Sequence, residues 1–261
     1  MDEDLPRFYA LVLAAGKGTR MRSDRAKMLH ELADQPMIEH VLASIGALQP
    51  AATVVVVGHQ REEVATAVAH RGVRIAVQEQ QLGTGHAVLA AADLLQEHDG
   101  TILIICGDTP LIRPATLRAM LAAHRRAGAV LTVLTTKPAN PFGYGRIVTD
   151  REGRITAIVE ERDADGDQKR ISEINAGIYC VESTFLWPAL ARITTDNQQG
   201  EMYLTDIVGI ANRDGHPVGR WLCPDPDEVL GVNSREELAQ AHAILQKRGA
   251  GKALTSSGSG Q

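Results

Sequence analysis

No stretch of this 261-residue sequence approaches the apolar run of about 20 residues that spans a bilayer. The opening MDEDLPRFYALVLAAG carries acids where a secretory leader needs basic residues. Both absences point to the cytoplasm and away from a membrane. There is also no long basic run, and the net charge of −5 arises from interspersed residues of both signs, which argues against a nucleic-acid partner. An anionic substrate must therefore be held by local Lys, Arg, backbone N–H groups or a metal, because the overall field does not attract it. Cysteines are few. Cys106, Cys180 and Cys223 are widely spaced, odd in number and form no C-x-x-C pair, so they read as buried thiols of a reducing compartment. No internal repeat is visible, and in particular no run of hexapeptides that would build a β-helix.

What is present suits a soluble globular chain. Hydrophobic residues make up 44% and charged residues 23%, and the length allows one large α/β domain or a core with a modest second lobe. Phe8 to Leu13 is a continuous apolar run ending in a glycine-rich loop, the pattern of a strand buried on both faces of a parallel sheet. The pattern returns at Thr53 to Gly58, Arg74 to Val77, Thr101 to Cys106 and Val130 to Thr135. Between these runs lie amphipathic stretches at Pro36 to Leu48, Arg61 to Ala69, Gly83 to Leu95 and Pro114 to Ala127. Such alternation predicts a doubly wound, Rossmann-like α/β fold whose ligands sit beyond the carboxyl ends of the strands. After about residue 140 the rhythm becomes β-rich, with Gly145 to Val148, Ile155 to Glu160 and Ile174 to Val181, which predicts a smaller lobe on the same sheet over about 141–233. Helices are expected at Tyr203 to Asp214 and Ser234 to Arg248, and the tail 249–261, ending SSGSGQ, has the composition of a disordered linker.

Leu13-Ala14-Ala15-Gly16-Lys17-Gly18-Thr19-Arg20-Met21 follows the first strand directly. Small residues let backbone N–H groups approach phosphate, and Lys17 and Arg20 add positive charge. The loop is a phosphate cradle or, on the plainer reading, a strand-to-helix turn. Met21 stands where a dinucleotide fingerprint needs Gly or Ala, and no glycine lies five residues before Lys17 as a P-loop requires. Lys27 follows; taken alone it reads as a surface lysine. In Gln78-Glu79-Gln80-Gln81-Leu82-Gly83-Thr84-Gly85-His86-Ala87, amides such as Gln78 and Gln81 with backbone from Gly83 and Thr84 suit the edge of a nucleobase. A polar loop opening a helix fits the same residues, and His86 in a first helical turn is more often structural than catalytic. Asp108 stands just past an apolar strand in Cys106-Gly107-Asp108-Thr109-Pro110, a place for a hard-cation ligand or a helix cap. The remaining polar positions, Gly143 to Arg146, Glu160, Asn175, Glu201 to Thr205 and Asn233, are each compatible with turn or capping chemistry, Asn233 especially with an N-cap.

Taken in order, LAAGKGTRM with Lys27 downstream, QLGTGHA, GDTPLI, GYGRI, IVEE, EINAGIY, GEMYLTDI and GVNSR resemble the uridyltransferase domain of bacterial bifunctional N-acetylglucosamine-1-phosphate uridyltransferase/glucosamine-1-phosphate acetyltransferase, over about residues 8–248. The resemblance implies the nucleotide-diphospho-sugar transferase fold, with a nucleotide-binding part at about 8–140. It implies that UTP and N-acetylglucosamine 1-phosphate react to give UDP-N-acetylglucosamine, a cell-envelope precursor, and pyrophosphate, with Mg²⁺ as cofactor. On that resemblance Leu13, Ala14, Ala15, Gly16 and Lys27 hold the nucleotide and Gln78, Gly83 and Thr84 recognise uracil. Gly107, Gly145, Glu160, Asn175, Tyr203 and Thr205 hold the amino sugar, Asp108 and Asn233 carry Mg²⁺, and Arg20 and Lys27 are catalytic. Two departures stand out. Cys106 occupies a position where many members carry Tyr, and the family's hexapeptide-repeat β-helix is missing, which implies a monomer or weak oligomer without acetyltransferase activity. A sugar-phosphate oxygen is already ionised at neutral pH, so no general base is required and catalysis falls to positioning and charge neutralisation. The alternatives are a relative using another base or sugar, an NAD-dependent oxidoreductase, which Met21 disfavours, and a non-catalytic nucleotide-binding regulator, which intact Asp108, Arg20 and Lys27 disfavour.

Overall fold

The structure, a computed structural model, describes residues 5 and 7–256. Strand β1 (Phe8–Ala14) is followed by two single turns of 3₁₀ helix, a short ribbon of β2 (Glu31–Leu32) and β3 (Gln35–Pro36), and helix α1 (Met37–Gly46). The chain continues through β4 (Thr53–Val57), α2 (Arg61–Val68), β5 (Arg74–Val77), α3 (Thr84–Leu89), α4 (Ala92–Leu95), β6 (Thr101–Cys106), α5 (Pro114–Ala127) and β7 (Leu131–Thr136). Its second half comprises β8 (Arg146–Thr149), β9 (Ile155–Val159), β10 (Ile174–Glu182), α6 (Ser183–Leu190), α7 (Asp206–Arg213), β11 (Val218–Leu222) and α8 (Arg235–Ser256).

The apolar runs of β1, β4 and β6 are buried because the sheet is covered on both faces there, whereas the edge strand β5 buries only Ala76. Side chains alternate across a strand, and they sort accordingly. Leu11, Leu13, Val54, Val56, Ile102 and Ile104 enter one core, whereas Val12, Val55, Val57, Leu103 and Ile105 enter the other. A third, smaller core beneath α8 joins Leu32, Met37, Leu111, Val232, Ala241 and Ile244.

The main sheet runs β5-β4-β1-β6-β10-β7-β11, with the β8–β9 hairpin joined to it through β10. Strand β1 is parallel to both β4 and β6, which lie on its opposite sides. The chain therefore winds outward to β5 and then crosses back over β1 to β6, which opens a crevice at the carboxyl ends of β1 and β6. Strand β10 runs antiparallel to β6 and β7, so the sheet is mixed. This reversal places the start of β10 at the same edge as that crevice. A bulge between Asn175 and Tyr179, with Gly177 at φ 72°, bends the strand there.

Several boundaries differ from the sequence pattern. The stretch Gly83 to Leu95 is two short helices, with Ala91 at φ −96°, ψ 1° between them. Helix α6 carries an internal Pro188, a residue that argues against a helix in any sequence reading. In β11, Gly219 lies so close to β7 that a Cβ would sit 2.5 Å from Thr132 Oγ1. Helix α8 continues to Ser256, so residues 249–256 of the expected disordered tail are helical, while 257–261 fall outside the described residues. Among the described residues no helix is long and apolar enough to cross a membrane, and Cys106, Cys180 and Cys223 are all free thiols.

Candidate active site

A cleft of about 500 Å³ lies at the crevice between β1 and β6. The loop after β1 supplies Leu13, Ala15, Gly16, Lys17, Gly18, Thr19 and Arg20; Gln78, Gln81, Gly83 and Thr84 form a second wall; Lys27, Cys106, Asp108 and Asn233 close the floor. Ala14 points into the opposite core and does not line the cleft. Its neighbour Gly16 meets no protein atom within 4 Å of an added Cβ, so the open space above it is left to a ligand.

Asp108 and Asn233, far apart in sequence, converge on one point. Val232 N–H donates to the Asp108 carbonyl at 2.8 Å, which docks the GVN segment on the turn after β6. Lys27 Nζ donates to Asp108 Oδ2 and, at 2.6 Å, to Asn233 Oδ1. The lysine is 8% exposed and the aspartate 17%. The 3₁₀ turn Lys27–Leu29 carries this side chain past Gly18, where a Cβ would lie 2.6 Å from Lys27 Cβ. Neither expected cap forms. Asp108 pairs with Lys27, and α8 is capped by Ser234 and Glu237, with Glu237 N–H donating to Ser234 Oγ and Ser234 N–H to Glu237 Oε2. Among the described residues no three His, Cys, Asp or Glu form a metal cluster. One carboxylate and one amide oxygen already gathered around an ammonium nevertheless fit a hard divalent cation that completes its shell with substrate phosphate and water.

Gln78 is buried, and its side-chain nitrogen faces the Gly83 carbonyl and His86 Nδ1, each at 3.1 Å. His86 thus orients an amide and has no catalytic position. Gly83, at φ 110°, immediately precedes α3. The loop is stitched to residues 201–204: Met202 N–H donates to the Leu82 carbonyl at 2.8 Å, Gly85 N–H to the Met202 carbonyl at 2.7 Å, and Leu204 N–H to Thr84 Oγ1 at 2.9 Å. Glu201, one of the polar positions read from the sequence, and Met28, which the sequence reading missed, also line the cleft.

The second group of polar residues gathers where β9, the start of β10 and the segment before α7 meet. Thr205 donates to Glu160 Oε1 at 3.2 Å, and a Cβ on Gly145 would lie 3.4 Å from both Glu160 carboxylate oxygens. Tyr203 donates to Asp163 Oδ2 at 3.1 Å. Asn175 braces the bulge: its Oδ1 accepts from Gly177 N–H at 3.0 Å, and its Nδ2 donates to the Tyr179 hydroxyl at 2.6 Å. Cys106 joins the two groups, lining the cleft with its Sγ 3.8 Å from the Gly177 carbonyl. Burial and the neighbouring Asp108 push its thiol up to about 12, so it stays neutral and is no nucleophile. Gly107 donates its N–H to the Leu13 carbonyl at 2.9 Å and ties the two strand ends together.

Burial holds the Glu160 carboxyl above its ordinary range; Thr205 opposes this, and Asp163, Asp206 and Glu201 add to it. A raised folded-state value stabilises the fold fully only below the unfolded pKa, and that contribution is lost as pH rises through the folded value. Glu160→Gln is therefore expected to raise the melting temperature at pH 8 by about 2–4 °C. The gain should vanish towards pH 4, near the unfolded carboxylate value of about 4.3. Thermal unfolding across that range is the check.

Comparison with known proteins identifies the family. The MobA-like NTP transferase domain model matches residues 10–254. The chain is 49% identical over 238 residues to the bifunctional protein GlmU of Desulfotalea psychrophila, covering 91% of this chain and 70% of that one. It is 49% identical over 240 residues to GlmU of Trichlorobacter lovleyi and 50% over 245 residues to that of Geobacter metallireducens, covering 92% of this chain in each case. It spans about half the length of these two, 52% and 50%. A Bacillus anthracis crystal structure, described as a candidate glucose-1-phosphate thymidylyltransferase in complex with a sucrose, superposes with a TM-score of 0.71 over 91% of this chain and 94% of its own, at 18% identity, and so shares the fold. With the family model matched over nearly its whole length and relatives near half identical, the chain belongs to the MobA-like NTP transferase domain family and is a nucleotidyltransferase.

Proposed function

We propose that this chain is a sugar-1-phosphate nucleotidyltransferase that joins UTP and N-acetylglucosamine 1-phosphate into UDP-N-acetylglucosamine, with Mg²⁺ as cofactor. The observation that carries the reading is the meeting of three chemistries at one switch point: an open glycine loop with cations, a fixed amide wall, and Asp108 with Asn233. With its nitrogen committed to Gly83 and His86, Gln78 is left with a carbonyl oxygen that suits the imide N–H of uracil. Glu160, Thr205 and Asn175 offer the acceptors and donors that sugar hydroxyls and an N-acetyl group require.

In the reaction a phosphate oxygen of the sugar 1-phosphate forms a bond to the α-phosphorus of UTP. The bond to the bridging oxygen breaks, and pyrophosphate leaves with that electron pair. No proton needs to move. Lys27 and Arg20 neutralise charge that would otherwise keep two anions apart, and Leu13 to Gly16 fix the nucleotide by backbone. Mg²⁺, held by Asp108 and Asn233, would supply further charge neutralisation on the phosphates.

Product identification by mass, after mixing protein with Mg²⁺, UTP and N-acetylglucosamine 1-phosphate, tests the reading. Failure to form UDP-N-acetylglucosamine overturns it, and a panel of nucleotides and sugar phosphates reveals any other pair. Asn175→Ala is expected to raise the KM for the sugar phosphate about tenfold, the worth of one or two neutral hydrogen bonds, while kcat changes less. Steady-state pyrophosphate release separates the two constants.

A further inference from the structure

A second groove opens beside the cleft and encloses about 600 Å³. Arg20, Arg22 and Arg235 line it, opposed by the single carboxylate of Glu236, which faces Arg22 and Arg235 electrostatically. Thr19 and Arg20 belong to both the groove and the cleft, so the two are continuous. Among the described residues neither Arg20 nor Arg22 has an ion-pair partner.

The loop is held in this form. The turn Thr19–Met21 lies between two left-handed residues, Gly18 at φ 61° and Arg22 at φ 48°. The second is uncommon for a long side chain and marks local strain. Arg235 fastens the turn, donating from Nε to the Met21 carbonyl and from Nη2 to the Arg22 carbonyl, both at 3.2 Å. A strained turn that presents two guanidinium groups with no salt bridge among the described residues and is pinned by a third suits a multiply charged phosphate anion.

We propose that this groove is a diphosphate subsite, in which Arg22 and Arg235 receive the pyrophosphate that Arg20 passes out of the cleft. The inference rests on the nucleotidyl-transfer reading above and adds Arg22 and Arg235 to the residues that serve it. Product release then follows a path of its own, away from the sugar side, and the same groove admits pyrophosphate for the reverse reaction.

The reverse reaction, UDP-N-acetylglucosamine with pyrophosphate, tests this directly. Arg22→Gln is expected to raise the KM for pyrophosphate about tenfold, and Arg22→Gln with Arg235→Gln about a hundredfold. The KM for UDP-N-acetylglucosamine should stay within about twofold. Pyrophosphate should inhibit the forward reaction of Arg22→Gln about tenfold less strongly. Because Arg235 also fastens the turn, Arg22→Gln alone carries the decision, and calorimetry with inorganic pyrophosphate gives its affinity without turnover. Equal pyrophosphate KM and equal affinity in wild type and Arg22→Gln overturn the subsite. A wild type that binds pyrophosphate more tightly than Arg22→Gln yet performs no pyrophosphorolysis overturns the substrate assignment and leaves the subsite standing.

Discussion

Lys27→Ala is expected to lower kcat by about 10²–10³ while the protein remains folded, the usual size of effect for a preorganised charge at a reacting centre. Lys27 is the buried cation of the cleft, 8% exposed and fixed by Asp108 and Asn233, whereas Lys17 and Arg20 stand exposed at its mouth. Those two can attract an anion but cannot take a place at that depth. Lys27→Arg should not rescue activity. The lysine stem threads a slot that exists because Gly18 has no side chain, with Cβ, Cγ and Cδ of Lys27 lying 2.6, 3.2 and 3.3 Å from where a Gly18 Cβ would be. A planar guanidinium is wider than an ammonium and has different donor geometry. Loss of the lysine also leaves Asp108 facing Asn233 without a donor, a cost of about 1–3 kcal/mol. Against a total stability of about 5–15 kcal/mol that cost leaves most molecules folded. Pyrophosphate release measured beside thermal unfolding separates the effects, and near-wild-type turnover in a folded Lys27→Ala would remove Lys27 from catalysis.

The elements that build this cleft were legible where local pattern decides structure. Ile102 to Ile105 are uninterruptedly apolar because both sheet faces are covered there, β5 keeps a short apolar run at the sheet edge with Ala76 alone buried, and α5 begins at Pro114 and ends before Gly128. The places where reading failed depend on partners distant in sequence. Nothing near Val218 shows that Gly219 must lie against Thr132, and nothing near Ile174 shows that β10 runs antiparallel between two parallel strands. Lys27 alone resembles a surface lysine, since its partners lie 81 and 206 residues away. Asn233 stood where an N-cap was expected, but Ser234 with Glu237 three residues on satisfies the helix and leaves the asparagine for Lys27. Candidate residues could be proposed from motifs; what each one touches could not be read there.

Gly83→Ala is expected to impair both substrates together, whereas Gly16→Ala is expected to impair only the nucleotide. Gly83 sits at φ 110°, and an added Cβ would lie 2.6 Å from the Met202 carbonyl oxygen and 2.8 Å from its nitrogen. These are backbone atoms in a hydrogen-bonded seam, so neither side can yield without parting residues 82–85 from 201–204. The seam carries residues of the proposed uracil wall on one side and leads into the proposed sugar contacts Tyr203 and Thr205 on the other, so the KM for UTP and for the sugar phosphate should each rise at least about tenfold. The strain, about 2–3 kcal/mol, should lower the melting temperature by about 5–10 °C. At Gly16 the protein makes no such demand, since its φ is not left-handed and a Cβ meets nothing within 4 Å. Gly16→Ala should keep its melting temperature within about 1 °C, because no packing or backbone strain is introduced, and raise the UTP KM alone. A Gly83→Ala enzyme with an unchanged sugar-phosphate KM would show that the seam does not join the two halves of the site, and that the nucleotide wall and the sugar pocket are set independently by the sheet beneath them.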